Sequence, residues 1–127
     1  MPRIDHAAVY VRDLEGAEAF YEKYFGAVSN DQYHNPTTGL RTYFLSFEGS
    51  TRLEIMSRPG HEISPDPMAA GWNHLAFSLG SKEAVDQLAA QLKEDGFEIL
   101  SGPRTTGYGY YECAFRDAEG NQIGITA

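Results

Sequence analysis

The sequence predicts an α+β fold made of two tandem modules, and three observations support this. The segment around His6 resembles the segment around His74. In each half, a short apolar strand leads into a stretch with helical spacing of apolar residues and then into three further strands. Equivalent positions keep a nearly constant offset: His74 follows His6 by 68 residues, and Gly96 follows Gly26 by 70. Such repetition is typical of two copies of one structural unit.

Turn and capping signals give the module boundaries. The 127 residues fit one compact domain with a substantial core. Within the single domain 1–127, the first module is expected at 1–57 and the second at 72–127. The linker at 58–71 contains three prolines and is expected to be an exposed connection.

The first module is predicted to begin with a strand at 4–11. Asp13 is expected to cap the helix that follows, because its short side chain can accept a hydrogen bond from a free amide of the first turn. Gly26 is expected to end that helix. Strands at 41–47 and 52–56 complete the module, and a hairpin turn joins them.

The second module repeats this order. Ser81 is expected to cap its helix and Gly96 to end it. Gly102-Pro103 is expected to form a turn between strands. The strands expected in this module cover 72–79, 97–100, 110–116 and 121–126.

Charge and composition exclude several classes of function. Asp and Glu number 18 against 10 Lys and Arg, which gives a formal net charge of −8. An acidic surface repels nucleic acid and anionic membranes, and no segment is long and apolar enough to span a bilayer. Cys113 is the only cysteine, so no intramolecular disulfide can form. A cytoplasmic location is therefore expected, with a small molecule as partner.

Strand parity places three metal-ligating residues on equivalent faces. His6, Glu54 and His74 each alternate with apolar residues that are expected to pack under a helix, so all three should point to the helix-free side. Two imidazoles and one carboxylate are common ligands for Zn²⁺, Ni²⁺, Mn²⁺ or Fe²⁺, and zinc is the favoured ion. Three protein ligands leave positions for water and substrate, as in catalytic sites.

A simpler interpretation of the same residues stays open. A single strand histidine is more often packed or exposed than bound to metal, and a strand glutamate such as Glu54 is more often solvated. The coincidence across three strands favours the metal site. His34 and His61 lie in polar stretches and are expected to be exposed.

Five stretches that are spread along nearly the whole chain resemble a known family. They are IDHAAVYVRDL at 4–14, FYEKYFG at 20–26, RLEIM at 52–56, WNHLAF at 72–77 and DAEGNQI at 117–123. They are similar to the vicinal oxygen chelate superfamily, which includes glyoxalase I, methylmalonyl-CoA epimerase, fosfomycin-resistance thiol transferases, bleomycin-resistance proteins and extradiol ring-cleaving dioxygenases.

This resemblance implies paired βαβββ modules that form a cupped, open mixed β-sheet barrel around one site. Members usually bind a divalent ion with ligands from the first and last strands of each module, which here are His6, Glu54, His74 and residue 124. Gly124 departs from the pattern, because glyoxalase I and most metal-dependent relatives have glutamate there. Glycine has no side chain to donate, so three ligands remain.

The resemblance favours a metal-dependent lyase or isomerase of the glyoxalase type. Its substrate would be small and carry vicinal oxygens, as in lactoylglutathione lyase chemistry, and Glu54 would be the catalytic base. A metal-free small-molecule or antibiotic-binding protein with an aromatic cleft is an alternative. Thiol or group transfer to an electrophile is another.

Four residues are candidates for substrate binding: Tyr43, Arg104, Tyr108 and Glu112. The tyrosines belong to the aromatic set that could line a cleft, and Arg104 could receive an anionic group. By parity Glu112 either faces the cavity or is an exposed strand residue. A homodimer is expected because small cupped sheets leave edges to cover. The site could lie within one chain or be shared between two.

Overall fold

The structure, a computed structural model, describes residues 1–61, 70–107 and 109–127. The chain divides into two compact units, which we call unit 1 (Met1–Ile63) and unit 2 (Ser64–Ala127). Each unit has one helix packed against its own sheet, so the predicted α+β class is confirmed. Most of the expected linker, and Tyr108, lie outside the described residues.

The described residues of unit 1 form one helix and five strands. They are β1 (His6–Tyr10), α1 (Leu14–Phe25), β2 (Val28–Ser29), β3 (Tyr33–His34), β4 (Arg41–Ser46) and β5 (Arg52–Ser57). The strand order is β1-β5-β4-β2, and β3 also pairs with β4. β1 runs parallel to β5, which brings the first strand of the unit beside its last. The sequence did not predict β2 and β3, because two residues are too few to show alternation.

Unit 2, in the part that the structure describes, repeats this plan with one helix and four strands. They are β6 (His74–Ser78), α2 (Lys82–Glu94), β7 (Ile99–Thr105), β8 (Tyr111–Arg116) and β9 (Gln122–Thr126). The strand order is β6-β9-β8-β7, and β6 runs parallel to β9. Neither described helix is long and apolar enough to cross a membrane.

The predicted helix caps form hydrogen bonds in the structure. The Asp13 carboxylate accepts a hydrogen bond from the Gly16 amide at 3.0 Å, and the Ser81 hydroxyl accepts one from the Ala84 amide at 3.1 Å. Gly26 follows α1 in the left-handed conformation, with φ of 63°, which a residue without a Cβ atom adopts at no steric cost. Both helix starts and the end of α1 were therefore correctly predicted.

In each unit, the helix-facing side of the sheet forms the core. Residues that are less than 2% exposed include Leu45, Ile55, Val85, Leu92, Cys113, Phe115, Ile123 and Ile125. In β5 and β9 they alternate with less buried residues, as parity predicted. Burial also raises the pKa of the Cys113 thiol, because the apolar surroundings disfavour the thiolate.

The turn predicted at Gly102-Pro103 was wrong, because both residues lie inside β7. The pairing of β7 with β8 shifts register on either side of Ser101, so the strand continues through an irregularity that absorbs them. A Cβ atom on Gly102 would lie 2.4 Å from the carbonyl oxygen of Glu112. Glycine is needed here for close approach to β8 rather than for a chain reversal.

Candidate active site

The structure places His6 and Glu54 on the same face of the unit 1 sheet. His6 pairs with Arg52 across β1 and β5, and Glu54 is two residues further along β5. Glu54 alternates with the buried Leu53 and Ile55 and therefore points away from α1. His6 Nε2 and Glu54 Oε1 are 3.9 Å apart.

The Asp5 carboxylate fixes the orientation of the His6 ring. His6 Nδ1 lies 2.9 Å from Asp5 Oδ2, which also accepts a hydrogen bond from Arg52 Nη2 at 2.9 Å. These hydrogen bonds, with that to His6 the larger cause, lower the pKa of Asp5 to about 2. A carboxylate only accepts hydrogen bonds, so Nδ1 carries the proton in neutral His6 and the Nε2 lone pair faces Glu54.

Phe44 packs beneath this polar group. It pairs with Glu54 across β4 and β5 and so shares the helix-free face. The His6 ring meets the Phe44 ring edge-on, with centroids 5.2 Å apart, and the Arg52 guanidinium carbon lies 4.4 Å from the Phe44 centroid. Phe44 therefore supports both the imidazole and the cation that holds Asp5.

In unit 2, His74 has the same orienting contact. His74 Nδ1 lies 2.8 Å from the side-chain oxygen of Asn73. Donation from Nδ1 to that oxygen leaves the Nε2 lone pair available, as in His6. Both predicted histidine ligands are thus held at Nδ1 by the residue that precedes them.

Gly124 occupies the position that corresponds to Glu54. Gly124 pairs with Ala76 just as Glu54 pairs with Ala8. A Cβ atom built on Gly124 would lie 3.4 Å from Ala76 Cβ and 3.6 Å from His74 Cδ2. A side chain at position 124 would lie on the same face as His74, but glycine has none.

The pair formed by His6 and Glu54 fits a divalent cation. Two lone-pair donors face each other with no proton between them when His6 is neutral. Their separation of 3.9 Å is shorter than two consecutive metal–ligand bonds, which total about 4.2 Å. Among the described residues, no group of three or more His, Cys, Asp or Glu side chains comes together. The structure therefore brings together two of the three predicted ligands and places His74 in unit 2.

Tyr43 does not lie on the face that carries His6 and Glu54. It pairs with the buried Ile55, and its hydroxyl donates to the Glu15 carboxylate of α1 at 3.0 Å. Gln32 donates to the same hydroxyl at 3.1 Å. Burial and the hydrogen bond to Glu15 raise the pKa of Tyr43. Its contacts attach β4 to α1 and give no support for substrate binding.

Two other aromatic residues, Phe47 and Tyr111, also contact the helices. Phe47 packs against Tyr21 of α1 with ring centroids 6.5 Å apart. The Tyr111 hydroxyl donates to Asp86 of α2, and this hydrogen bond raises the pKa of Tyr111. Helix packing accounts for these rings without a ligand. Tyr108 lies outside the described residues.

Arg104 and Glu112 are direct neighbours across β7 and β8. Glu112 alternates with the buried Cys113 and so lies on the helix-free face of unit 2. It is partly buried, whereas Arg104 is exposed. Opposite charges in a cross-strand pair favour each other. Glu112 therefore lies on the helix-free face of its sheet, with a partly buried side chain.

Asp5, Phe44 and Arg52 were missed by the sequence reasoning. One signal was available, since each predicted histidine ligand directly follows an aspartate or asparagine. Such a residue can reach the neighbouring Nδ1 and fix the tautomer. No comparable signal marked Phe44 and Arg52, because their roles depend on the pairing of β4 and β5.

Comparison with known proteins identifies the family. The family model described as the glyoxalase/bleomycin resistance protein/dioxygenase superfamily matches residues 3–125. An ethylmalonyl-CoA/methylmalonyl-CoA epimerase of Cereibacter sphaeroides is 33% identical over 107 residues, which cover 77% of this chain and 74% of that protein.

Solved structures show the same fold. A glyoxalase family protein from Enterococcus faecalis has a TM-score of 0.81 at 25% identity, covering 98% of this chain and 97% of the other. The fosfomycin resistance protein FosX from Listeria monocytogenes, solved as a mutant complexed with Mn(II) and a dihydroxypropylphosphonic acid, has a TM-score of 0.74 at 21% identity, with coverage of 98% and 91%. The chain belongs to the glyoxalase/bleomycin resistance protein/dioxygenase superfamily.

Proposed function

We propose that this protein is a metal-dependent enzyme that moves a proton within a small substrate carrying two adjacent oxygens. The observation that carries the proposal is the 3.9 Å approach of His6 Nε2 to Glu54 Oε1, with Nδ1 of His6 held by Asp5. His74, from the same chain or from a second copy, is the third proposed ligand. A bound divalent ion supplies Lewis-acid polarisation of the substrate oxygens.

The side chains have separate tasks in this proposal. Asp5 keeps the proton of neutral His6 on Nδ1, so that Nε2 is free to bind the ion. Phe44 and Arg52 limit the movement of that pair. Glu54 is 18% exposed in its side chain and is the acidic group that faces Nε2 of His6. It accepts the proton from the carbon next to the substrate carbonyl and returns it.

Two reactions of this kind are supported. Isomerisation of a hemithioacetal of methylglyoxal is the glyoxalase-type reaction that the sequence favours. Epimerisation next to a thioester is supported by the relative from Cereibacter sphaeroides, which is named as an epimerase. Both begin with loss of a proton next to a carbonyl, so the role of Glu54 is the same in each.

The test is Glu54→Gln, which keeps the shape of the side chain and removes the base. We expect kcat to fall at least a hundredfold, because general bases contribute about 10²–10⁴ in rate. The free energy of unfolding should stay close to that of the wild type. Glu48→Gln, a change at an exposed residue after β4, is the matched control and should leave kcat unaltered.

Elemental analysis of the purified protein tests the metal separately. We expect a stoichiometric divalent ion, and His74→Ala should reduce its content. A protein that takes up no ion after supplementation, yet binds a small molecule, would instead support metal-free sequestration. Sedimentation of the same samples tests the proposed homodimer.

A further inference from the structure

We infer that Glu112 determines substrate specificity by accepting a hydrogen bond from the end of the substrate that lies away from the metal. This inference rests on the proposed function. It names a substrate class: compounds in which a hydrogen-bond donor, such as an amide N–H, follows the vicinal oxygens. Glu112 is placed in unit 2 by β8 and is a separate group from the base Glu54.

Strand pairing in unit 2 places Glu112 far from the proposed ligand His74 but on the same face of the sheet. His74 pairs with Gln122 of β9, whereas Glu112 pairs with Thr126 at the other end of β9. Two strand spacings of about 4.8 Å and four residues at about 3.3 Å each put the Cα atoms of His74 and Glu112 on the order of 16 Å apart. Glu112 is therefore too distant to share one ion with His74 and is placed to contact a bound molecule further along.

The surface between these two residues is made of small side chains. Gly124 pairs with Ala76 on one side and with Ala114 on the other. A Cβ atom on Gly124 would meet nothing closer than 3.4 Å. A substrate whose oxygens are held near His74 can thus extend over this low surface toward Glu112 without displacing a side chain.

A second polar group next to Glu112 lacks a partner. Thr126 Oγ1 is buried and finds no hydrogen-bond partner in the described part of the chain. A buried hydroxyl without a partner costs free energy, and its direct neighbour on β8 is Glu112. An amide N–H of a bound molecule can donate to the Glu112 carboxylate.

Unit 1 lacks this arrangement. The residue that corresponds to Glu112 is Thr42, which pairs with Met56 and is 5% exposed. The carboxylate is therefore specific to unit 2. Arg104 is the cross-strand neighbour of Glu112, and opposite charges in such a pair attract each other.

The experiment compares two hemithioacetals of methylglyoxal that differ in one group. N-acetylcysteamine supplies an amide N–H, and 2-mercaptoethyl acetate supplies an ester oxygen at the same place. We expect the wild type to prefer the amide by at least tenfold in kcat/KM. Glu112→Ala should remove that preference mainly through KM, and Glu112→Gln should retain part of it because an amide oxygen still accepts. Glu94→Ala, at the exposed end of α2, is the control.

The outcomes separate this inference from the proposed function. In each Glu112 variant the Kd for Mn²⁺ should stay within twofold of the wild-type value. A larger loss of Mn²⁺ affinity would mean that Glu112 is a metal ligand or a structural residue, and it would overturn the inference. Equal turnover of the two adducts by an active wild type, or a Glu112→Ala variant that matches the Glu94→Ala control, would also overturn it while the proposed function stands. A wild type that binds no Mn²⁺ and turns over neither adduct would overturn both.

Discussion

The two units share a scaffold and differ on one face. Leu45 of unit 1 and Phe115 of unit 2 occupy equivalent places in the core and are both fully buried. On the helix-free face, unit 1 has charged or bulky residues around its histidine where unit 2 has neutral or small ones. The corresponding pairs are Asp5 and Asn73, Phe44 and Ala114, Arg52 and Gln122, and Glu54 and Gly124.

This difference indicates that the helix-free faces of the two units have different roles. Each unit keeps its histidine and a side-chain oxygen at Nδ1, which suggests that both imidazoles serve one purpose. Among the described residues, a second carboxylate lies next to that imidazole in unit 1, and none does in unit 2. Unit 2 has Gly124 at the corresponding position, and Glu112 lies further from the histidine on the same face. The two units thus share one frame and differ on one face, where unit 1 carries the proposed base Glu54 and unit 2 the proposed hydrogen-bond acceptor Glu112.

The largest expected effect tests whether the two cores are equivalent. Phe115→Ala should destabilise the protein by about 3–5 kcal/mol and Leu45→Ala by about 2–5 kcal/mol, because each deletes a fully buried side chain. Denaturant unfolding followed by fluorescence measures both. If either variant loses less than about 1 kcal/mol, its unit does not depend on that core position, and the equivalence fails.

A smaller effect is expected from exchanging the residues that hold the histidines. Asp5→Asn should weaken binding of Mn²⁺ about 10–100-fold, as for other groups that orient metal ligands, because an amide polarises the imidazole less than a carboxylate does. Asn73→Asp should strengthen binding. Titration calorimetry measures both values, with Asp31→Asn in an exposed loop as control. An Asp5→Asn variant with unchanged affinity would show that Asp5 has no role at the ion.

The smallest effect is expected from adding a side chain at position 124. Gly124→Glu gives unit 2 the carboxylate that unit 1 already has, and the contacts of the new Cβ atom with Ala76 and His74 are ordinary ones. We expect Mn²⁺ to bind a few-fold more tightly and the protein to remain folded. Gly124→Gln, of similar size but neutral, is the matched control. Equal affinities in the two variants would mean that a carboxylate at 124 does not reach the ion.

Sequence reasoning predicted most of the fold for identifiable reasons. Asp13, Ser81 and Gly26 act through contacts within a few residues, so their roles can be read locally. The parity of β5 was equally clear, because Leu53 and Ile55 alternate with Glu54. Gly102-Pro103 failed, because a local turn signal was outweighed by pairing with β8.

The candidate site was only partly predictable. The His6 and Glu54 face followed from alternation, but their distance did not. Tyr43 was assigned to the site because β4 had not been given a parity, and its register with β5 sends it to α1 instead. The support from Phe44 and Arg52 also depends on that register. The residue types and spacing along one strand do not determine which residues of the neighbouring strand lie beside them.

The burial of Cys113 bears on the proposed reaction, whose substrates are reactive carbonyl compounds. Such compounds are electrophiles, and thiolates attack them. The single thiol of this chain is 1% exposed, and burial raises its pKa, so it is both covered and protonated. The protein is thereby protected from alkylation by the molecules it is proposed to process.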